Sequence, residues 1–415
     1  MKGFKIVLIP LASPLHNPQL VDPVLKRIKE KLLDLIDYSF TKIVNLSSID
    51  HDIAKKAEVF IISVLTGGTE GLIIELVERY RKPVILIAHD SQNSLAAALE
   101  AYSVLVEKGY YGKLILENEI NELRYIIKAI RVLASLKNMK FISIGKPSPW
   151  LIYSKSVEPL IERDLGVKVE YSSIDELLSL KPEKLEDVEL NEILRKWGLL
   201  QVRKYVSHKD IEESLKFYLA LKRLIDKYKA KIITIRCFDL LKYNVTACLP
   251  LSLLNSEGVI AGCEADIPAT ISLAILSFIA EKPSFMANVV WLENNRILFA
   301  HCTIALRLVQ NFTLKSHFES GLGVAIEGYP RKGEVATFMR LDPKKKILTI
   351  GKGTVLNDKP LRYDNCRTQI VVEVEGNAKK MLKTPIGNHF VLTYGDHTKP
   401  LMYFAEIIGY KINLI

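Results

Sequence analysis

The chain has 415 residues, of which 49% are hydrophobic and 25% charged, with a formal net charge of +10. Those fractions exclude a disordered or collagen-like chain, and the length is too great for one hydrophobic core. A surplus of 57 Lys and Arg over 47 Asp and Glu is mild and spread out, at RYRK 79–82, LRKW 194–197 and LDPKKK 341–346. It forms no basic stripe interleaved with aromatics, which excludes a nucleic-acid groove as the simple reading.

The first third alternates short β-branched runs with helical patterns. Phe4–Pro10 reads as a strand and Leu20–Ile36 as a helix. Strands are expected at Lys42–Leu46, Val59–Leu65, Val84–Ala88, Lys113–Leu116 and Lys140–Ile144. Helices are expected near Glu70–Tyr80, Ser94–Lys108 and Glu119–Leu136. This alternation implies a parallel sheet covered on both faces by helices. The pattern restarts after the GKPSP stretch. It gives a helix at Val157–Asp164, a strand at Val167–Tyr171 and a helix at Ser173–Leu180, then a charged irregular stretch at Lys181–Leu200. A long amphipathic helix at His208–Lys229, strands at Lys231–Ile235 and Val259–Cys263, and a nearly all-apolar helix at Ile267–Ala280 follow. From Pro283 onward β-rich runs joined by Gly, Asn, Asp and Pro turns dominate, ending in a helix at Pro400–Ile408. The expected fold class is therefore α/β: two doubly wound parallel-sheet domains, 1–150 and 151–283, followed by a mostly β, barrel-like C-terminal domain, 284–415.

No secretory signal is evident, and the runs Ile267–Ala280 and Tyr243–Ser256 are shorter than the roughly 20 apolar residues a membrane span needs. The five cysteines, Cys237, Cys248, Cys263, Cys302 and Cys366, show no C-x-x-C spacing. Free thiols in a reducing, cytoplasmic compartment are expected.

Chemistry in parallel α/β sheets gathers at the carboxyl ends of strands. TGGTEG at 66–71 and HDSQNS at 89–94 each follow a strand. Gly67 and Gly68 permit a tight turn, Thr69 can cap the next helix, and such a turn exposes N–H groups toward an anion or a sugar hydroxyl. An ordinary strand-to-helix turn is the plainer alternative. CEAD at 263–266 is sharper: a short apolar strand delivers Glu264 and Asp266, read as two carboxylates on one side of an extended segment. Paired acids there suit a divalent metal or acid–base work, and the alternative is helix capping by Asp266 beside a solvated Glu264. His301 lies in an apolar strand and His389 in GNHFVLTYGDH, and with Glu264 they make a donor set for Mn²⁺ or a similar metal. No Walker loop, G-x-G-x-x-G, G-x-S-x-G or H-E-x-x-H is present.

The order TGGTE 66–70, CEAD 263–266, KPSFMAN 282–288, HC 301–302, HFESGLGVAIEG 317–328, GEVATFMRL 333–341, GKGTVL 351–356, DNCRTQ 364–369 and GNHFVLTYGD 387–396 spans nearly the whole chain. In that order and spacing the chain resembles the L-fucose isomerase and L-arabinose isomerase superfamily, most closely the fucose isomerase branch. The resemblance implies a cytoplasmic, Mn²⁺-dependent aldose–ketose isomerase acting on a pentose or 6-deoxyhexose through a cis-enediol. It implies Glu264 as metal ligand and base, His389 as ligand, and His301 as a further ligand candidate. Thr69, Glu70, His89, Trp150 and Asn388 would contact the sugar. The first domain would cover a neighbouring subunit's site in a homo-oligomer, a trimer or hexamer. One position departs from the pattern: Asn288 stands where the fucose isomerase branch has a metal-binding, proton-transferring aspartate. Asparagine still offers an oxygen to a hard metal but is no proton shuttle. Asp266 or Glu293 would have to supply the missing base. The departure also opens an alternative, a non-catalytic sugar- or metabolite-binding homologue.

Overall fold

A computed structural model describes residues 4–137, 139–202 and 205–415. The chain divides into two compact units, Met1–Arg131 and Val132–Ile415. The first unit is built on five parallel strands: β1 (Ile6–Leu11), β2 (Tyr38–Ser39), β3 (Val59–Val64), β4 (Val84–Ala88) and β5 (Gly112–Leu116), in the order β2-β1-β3-β4-β5. Its helices are α1 (Pro18–Leu32), α2 (His51–Lys56), α3 (Glu70–Tyr80) and α4 (Ser94–Glu107), with α5 (Leu123–Leu136) after β5. Strands β1, β3 and β4 are buried along their whole length, which explains their unbroken apolar sequences.

Among the described residues the second unit holds three sheets, of four, seven and two strands. A parallel sheet runs β7-β6-β8-β9, from β6 (Lys140–Ile144), β7 (Lys168–Ser172), β8 (Ile232–Ile235) and β9 (Ile260–Cys263). Helices α6 (Glu158–Leu165), α7 (Ile174–Ser179), α8 (Asp187–Lys196), α9 (His208–Tyr228), α10 (Cys248–Ser256) and α11 (Ile267–Ala280) are interleaved with it. The antiparallel strands that follow are β10 (Phe285–Glu293), β11 (Arg296–His301), β12 (Asn311–Lys315), β13 (Ala325–Tyr329), β14 (Val335–Asp342), β15 (Ile347–Val355), β16 (Thr368–Val374) and β17 (His389–Tyr394). Six of them, in the order β14-β17-β10-β11-β16-β15, close into a barrel because β15 also pairs with β14. A seventh strand, β18 (Lys411–Leu414), lies parallel against β15. Phe299, Phe338 and Phe390 meet one another with ring centroids 5.1–6.5 Å apart. Helix α11 joins the parallel sheet to the barrel, contacting β8 and β9 on one side and β14 and β17 on the other. A helix enclosed this way has no solvent face, hence its nearly uniform apolar sequence.

Two local expectations change. Lys42–Leu46 is not a strand: only the bridge Leu11↔Ile43 forms, and Leu46–Ser48 is a 3₁₀ turn. Ser47 and Ser48 both donate to the Asn45 side chain, and short polar side chains of this kind draw the backbone out of a ladder. Within Lys181–Leu200, α8 forms where irregular chain is expected. Asp187 and Glu189 lie in its first turn and Arg195 and Lys196 in its last, complementing the helix dipole, while Leu190 and Leu194 bury one face. Among the described residues no helix is long and apolar enough to cross a membrane.

Candidate metal centre

Three parallel strands of the second unit deliver their carboxyl ends to one place. Ser148, beyond β6, donates its backbone N–H (3.1 Å) and its hydroxyl (3.0 Å) to the Glu264 carbonyl. Ala265 N–H donates to Ile235 O at the end of β8 (3.0 Å). After Cys263 the chain does not stay extended as the sequence suggests. Glu264 and Ala265 both adopt left-handed backbone, φ 59° and 53°, which turns the chain straight into α11. Each such non-glycine residue costs about 1 kcal/mol, and strain of this kind persists where the surroundings over-determine it. The turn gives the two carboxylates of CEAD different partners. Asp266 becomes the N-cap of α11, its Oδ1 accepting from Ala269 N–H (3.0 Å). Glu264 is buried, 8% exposed, rather than solvated, and faces the ring nitrogen of His389 opposite the one Asp266 holds.

There it meets the barrel. His389 is the first residue of β17 and His301 the last of β11. One donor atom from each of Glu264, His301 and His389 lies within 4.8 Å of the others. Glu264 Oε1 stands 3.5 Å from His389 Nε2 and 3.9 Å from His301 Nε2. His389 is fully buried, and its Nε2 has no hydrogen-bond partner. The opposite ring nitrogens are engaged: His389 Nδ1 with Asp266 Oδ2 (3.0 Å) and His301 Nδ1 with Thr303 Oγ1 (3.1 Å). Holding a histidine by Nδ1 leaves the Nε2 lone pair for an ion, the arrangement usual for metal-binding imidazoles. The second carboxylate oxygen, Glu264 Oε2, accepts from the Trp150 indole N–H (2.6 Å). One buried carboxylate and two oriented imidazoles with an orphaned nitrogen between them fit a divalent ion of intermediate softness.

The electrostatics agree. Burial pulls the His389 pKa down, but the Asp266 and Glu264 carboxylates outweigh it and leave it at about 9. Burial raises Glu264, yet the two histidines hold it well below the usual carboxylate range. Asp266, also opposed by burial, is lowered by Arg340 and His389. The cluster is thus a mesh of opposite charges, and a bound cation would take the place of the histidine proton.

Arg340, unflagged by the sequence reading, holds this mesh from behind. It is 1% exposed on β14. Its Nε donates to Ile386 O (2.8 Å), one Nη to His389 O and the other to Ser154 Oγ (2.9 Å), and both lie 3.4–3.5 Å from Asp266 Oδ2. Gly387 passes over the guanidinium with φ +118°, where a Cβ would stand 2.6 Å from Nη2, so only glycine fits. The available sequence signal was a charged residue inside an apolar strand, which has to be paired when buried.

The remaining expected residues divide between the units. Asn288 lies directly across from His389 in the β10–β17 pairing, its Oδ1 accepting from Asn388 Nδ2 (2.9 Å). Asn388 is exposed. Trp150 is 50% exposed and meets Phe238 edge-on at 4.8 Å, and Phe238 meets His317 at 5.8 Å, so aromatic rings line the approach to Glu264. Thr69, Glu70 and His89 belong to the first unit, where their polar groups are engaged. Thr69 occupies the N-cap position of α3 without capping it, because its hydroxyl donates to Thr66 O (2.9 Å). The Gly67 N–H donates to Gln92 O (2.8 Å) and the Gly68 N–H to Glu70 Oε1 (3.3 Å), so those groups do not stand free for an anion. His89 spends Nδ1 on Ser91 Oγ and Nε2 on Leu65 O, both at 3.0 Å, tying two loops together.

No family model matches the chain. Among named proteins, it is 22% identical over 440 residues to the sulfoquinovose isomerase of Alkalicoccus urumqiensis, covering 98% of both chains. It is 24% identical over 353 residues to the sulfoquinovose isomerase of Clostridium sp. (strain MSTE9), covering 79% of this chain and 77% of that one. Identity to the sulfoquinovose isomerase of Priestia aryabhattai is 22% over 295 residues, 68% of this chain, which spans 66% of that relative's length. A solved structure titled "Crystal structure of CapF with inhibitor 3-isopropenyl-tropolone" aligns with a TM-score of 0.16 and 10% identity, covering 94% of this chain and 95% of that one, and carries no argument. The chain is therefore similar, along its full length in one case, to proteins named as isomerases of a sugar.

Proposed function

We propose that this protein is a metal-dependent aldose–ketose isomerase of a sugar. The observation that carries the reading is the convergence of Glu264 Oε1 with the Nε2 atoms of His301 and His389 in a buried cluster. Glu264, His301 and His389 would hold the ion, with the Asn288 oxygen one strand away as a further donor. A bound Mn²⁺ or similar ion supplies Lewis acidity that stabilises developing negative charge on substrate oxygens.

The protein's own groups account for the rest. Asp266, itself held by Arg340, fixes the His389 ring, so both are positioning residues. Glu264 is the carboxylate at hand to accept a proton from carbon, through the Oε2 that Trp150 now bonds, because Asn288 is neutral and Asp266 is 0% exposed and held by Ala269, His389 and Arg340. Trp150 and Asn388 stand at the exposed side, where a sugar would enter.

The names of the relatives favour sulfoquinovose, an anionic sugar, ahead of the pentose or 6-deoxyhexose expected from the sequence. The net charge of +10 would draw an anion at long range. A homo-oligomer remains part of the proposal.

Three measurements test the reading. Protein purified without chelator carries about one divalent ion per chain by elemental analysis. Turnover of sulfoquinovose in D₂O places deuterium on the carbon beside the new carbonyl. Glu264→Gln and His389→Ala each lower turnover by at least about a thousandfold, the scale expected when a base or a ligand is lost. Full turnover in both variants sinks the proposal. Asn288 favours a second reading, a sugar-binding protein without turnover. Calorimetric sugar binding with no product in any of these assays would establish it.

A further inference from the structure

Cysteines far apart in the sequence meet in the second unit. Cys237 Sγ and Cys263 Sγ lie 3.1 Å apart. Cys248 and Cys302 pack together, with Cys366 against them. Both groups adjoin the candidate centre, since Cys263 immediately precedes Glu264 and Cys302 immediately follows His301. All five are free thiols. We propose that Cys237 and Cys263 form an oxidisable dithiol, a modification site at which a peroxide closes a disulfide and loosens the grip of Glu264 on a metal ion.

The two sulfurs are brought together by the sheet. Cys263 ends β9 and pairs in register with Ile235 of the adjacent parallel strand, while Cys237 opens the 3₁₀ turn two residues beyond Ile235. Both side chains therefore sit at the carboxyl edge of the sheet, the edge that carries the site. Cys263 is 2% exposed and Cys237 8%, so the pair touches solvent through Cys237. The neighbouring Phe238 lies against Trp150, whose indole N–H reaches Glu264, so Cys237 is one residue from a ring beside the candidate centre.

The chemistry balances. Two S–H bonds and the peroxide O–O bond break, one S–S bond forms, and two water molecules leave when the oxidant is hydrogen peroxide. The two sulfurs lose two electrons and the peroxide oxygens gain them. A disulfide requires a separation of about 2.05 Å, so the sulfurs approach by about 1 Å. Cys263 feeds directly into the left-handed turn at Glu264, whose carbonyl is pinned by Ser148 on the far side. A pull on Cys263 therefore rotates Glu264 about a fixed point instead of moving the whole loop. Metal–ligand distances tolerate only a few tenths of an ångström, so a shift on this scale weakens binding. The consequence for the ion rests on Glu264 being a metal ligand, whereas the oxidation does not.

The test uses the full chain, hydrogen peroxide and Mn²⁺. Stoichiometric peroxide is expected to remove two of the five thiols. A non-reducing digest should then show Cys237 linked to Cys263, and Mn²⁺ affinity by calorimetry should fall at least tenfold and recover with dithiothreitol. Cys237→Ser and, separately, Cys263→Ala should keep their Mn²⁺ affinity under the same treatment. Absence of the linked peptide, or a first product joining Cys302 to Cys248 or Cys366, overturns the dithiol assignment. A linked pair with unchanged Mn²⁺ affinity overturns its coupling to Glu264. Reduced protein that binds no Mn²⁺ would instead refute the metal reading, and the linked peptide would then decide the dithiol alone.

Discussion

Replacing Arg340 by Met removes the cation from behind the site while keeping a side chain of comparable length. Asp266, 0% exposed, would keep its bonds to Ala269 and His389 but lose the guanidinium that balances its charge. Removing one partner of a buried ion pair costs about 3–5 kcal/mol, and the long 3.4–3.5 Å contacts argue for the lower end. Ile386 O and His389 O also lose a donor, about 1 kcal/mol each, offset by a similar gain from burying the methionine. The net expectation is about 3–4 kcal/mol, or a fall of about 10 °C in the melting temperature of the second unit. Urea denaturation followed by tryptophan fluorescence reads the stability. The double variant with Asp266→Asn isolates the pair: if the argument holds, the two losses are far from additive, with about 2 kcal/mol of coupling. A loss below about 1 kcal/mol for Arg340→Met, or additive losses, would show that the guanidinium does not balance Asp266.

Two further expectations are smaller. Trp150→Phe keeps an aromatic ring at the approach but removes the N–H that occupies Glu264 Oε2, so Mn²⁺ affinity by calorimetry should weaken about tenfold, and an unchanged affinity would exclude an orienting role. In the first unit, Glu117 accepts from Arg27 at 2.5 and 2.7 Å and from Lys31 at 3.0 Å, and chiefly the Arg27 bond lowers its pKa to about 2 against burial. A pKa lowered on folding stabilises above the unfolded value and stops doing so as pH falls toward the folded one. Because Arg27 and Lys31 are half-exposed, the contribution is about 1 kcal/mol. Glu117→Gln should therefore weaken hydrogen-exchange protection of β5 at pH 7 and converge on the parent between pH 4.5 and 2, and an equal gap at pH 7 and pH 3 would contradict it.

The sequence made the layered architecture legible because hydrophobic period is a local signal. Fully buried strands such as Val59–Val64 read as unbroken apolar runs, and the enclosed helix after CEAD reads as apolar on all sides. Chemistry was legible where the donor type is rare in its setting, as with a glutamate between apolar segments and histidines at strand ends. What escaped depends on distant partners or on backbone that side chains do not announce. The left-handed pair at Glu264 and Ala265 turns the chain where alternation would have kept it extended. The reading of Asp266 offered metal or catalytic work or a cap, and the fold adds a third role through Arg340, which lies 74 residues away. Cys237 and Cys263, 26 residues apart, meet only because β8 and β9 are neighbours.

Asp266 and His389 touch across 123 residues of chain, and Glu264 and His389 reach the same point from a parallel sheet and from a barrel. Neither half has the pocket by itself. An ion held there would report that both halves have folded and docked on α11, and a nascent chain would remain unable to retain one until β17 had been made. Retention of an ion there would thus double as a proofreading signal for assembly of the second unit. Destabilising changes anywhere along α11 should show first as lost ion binding, before any loss of secondary structure.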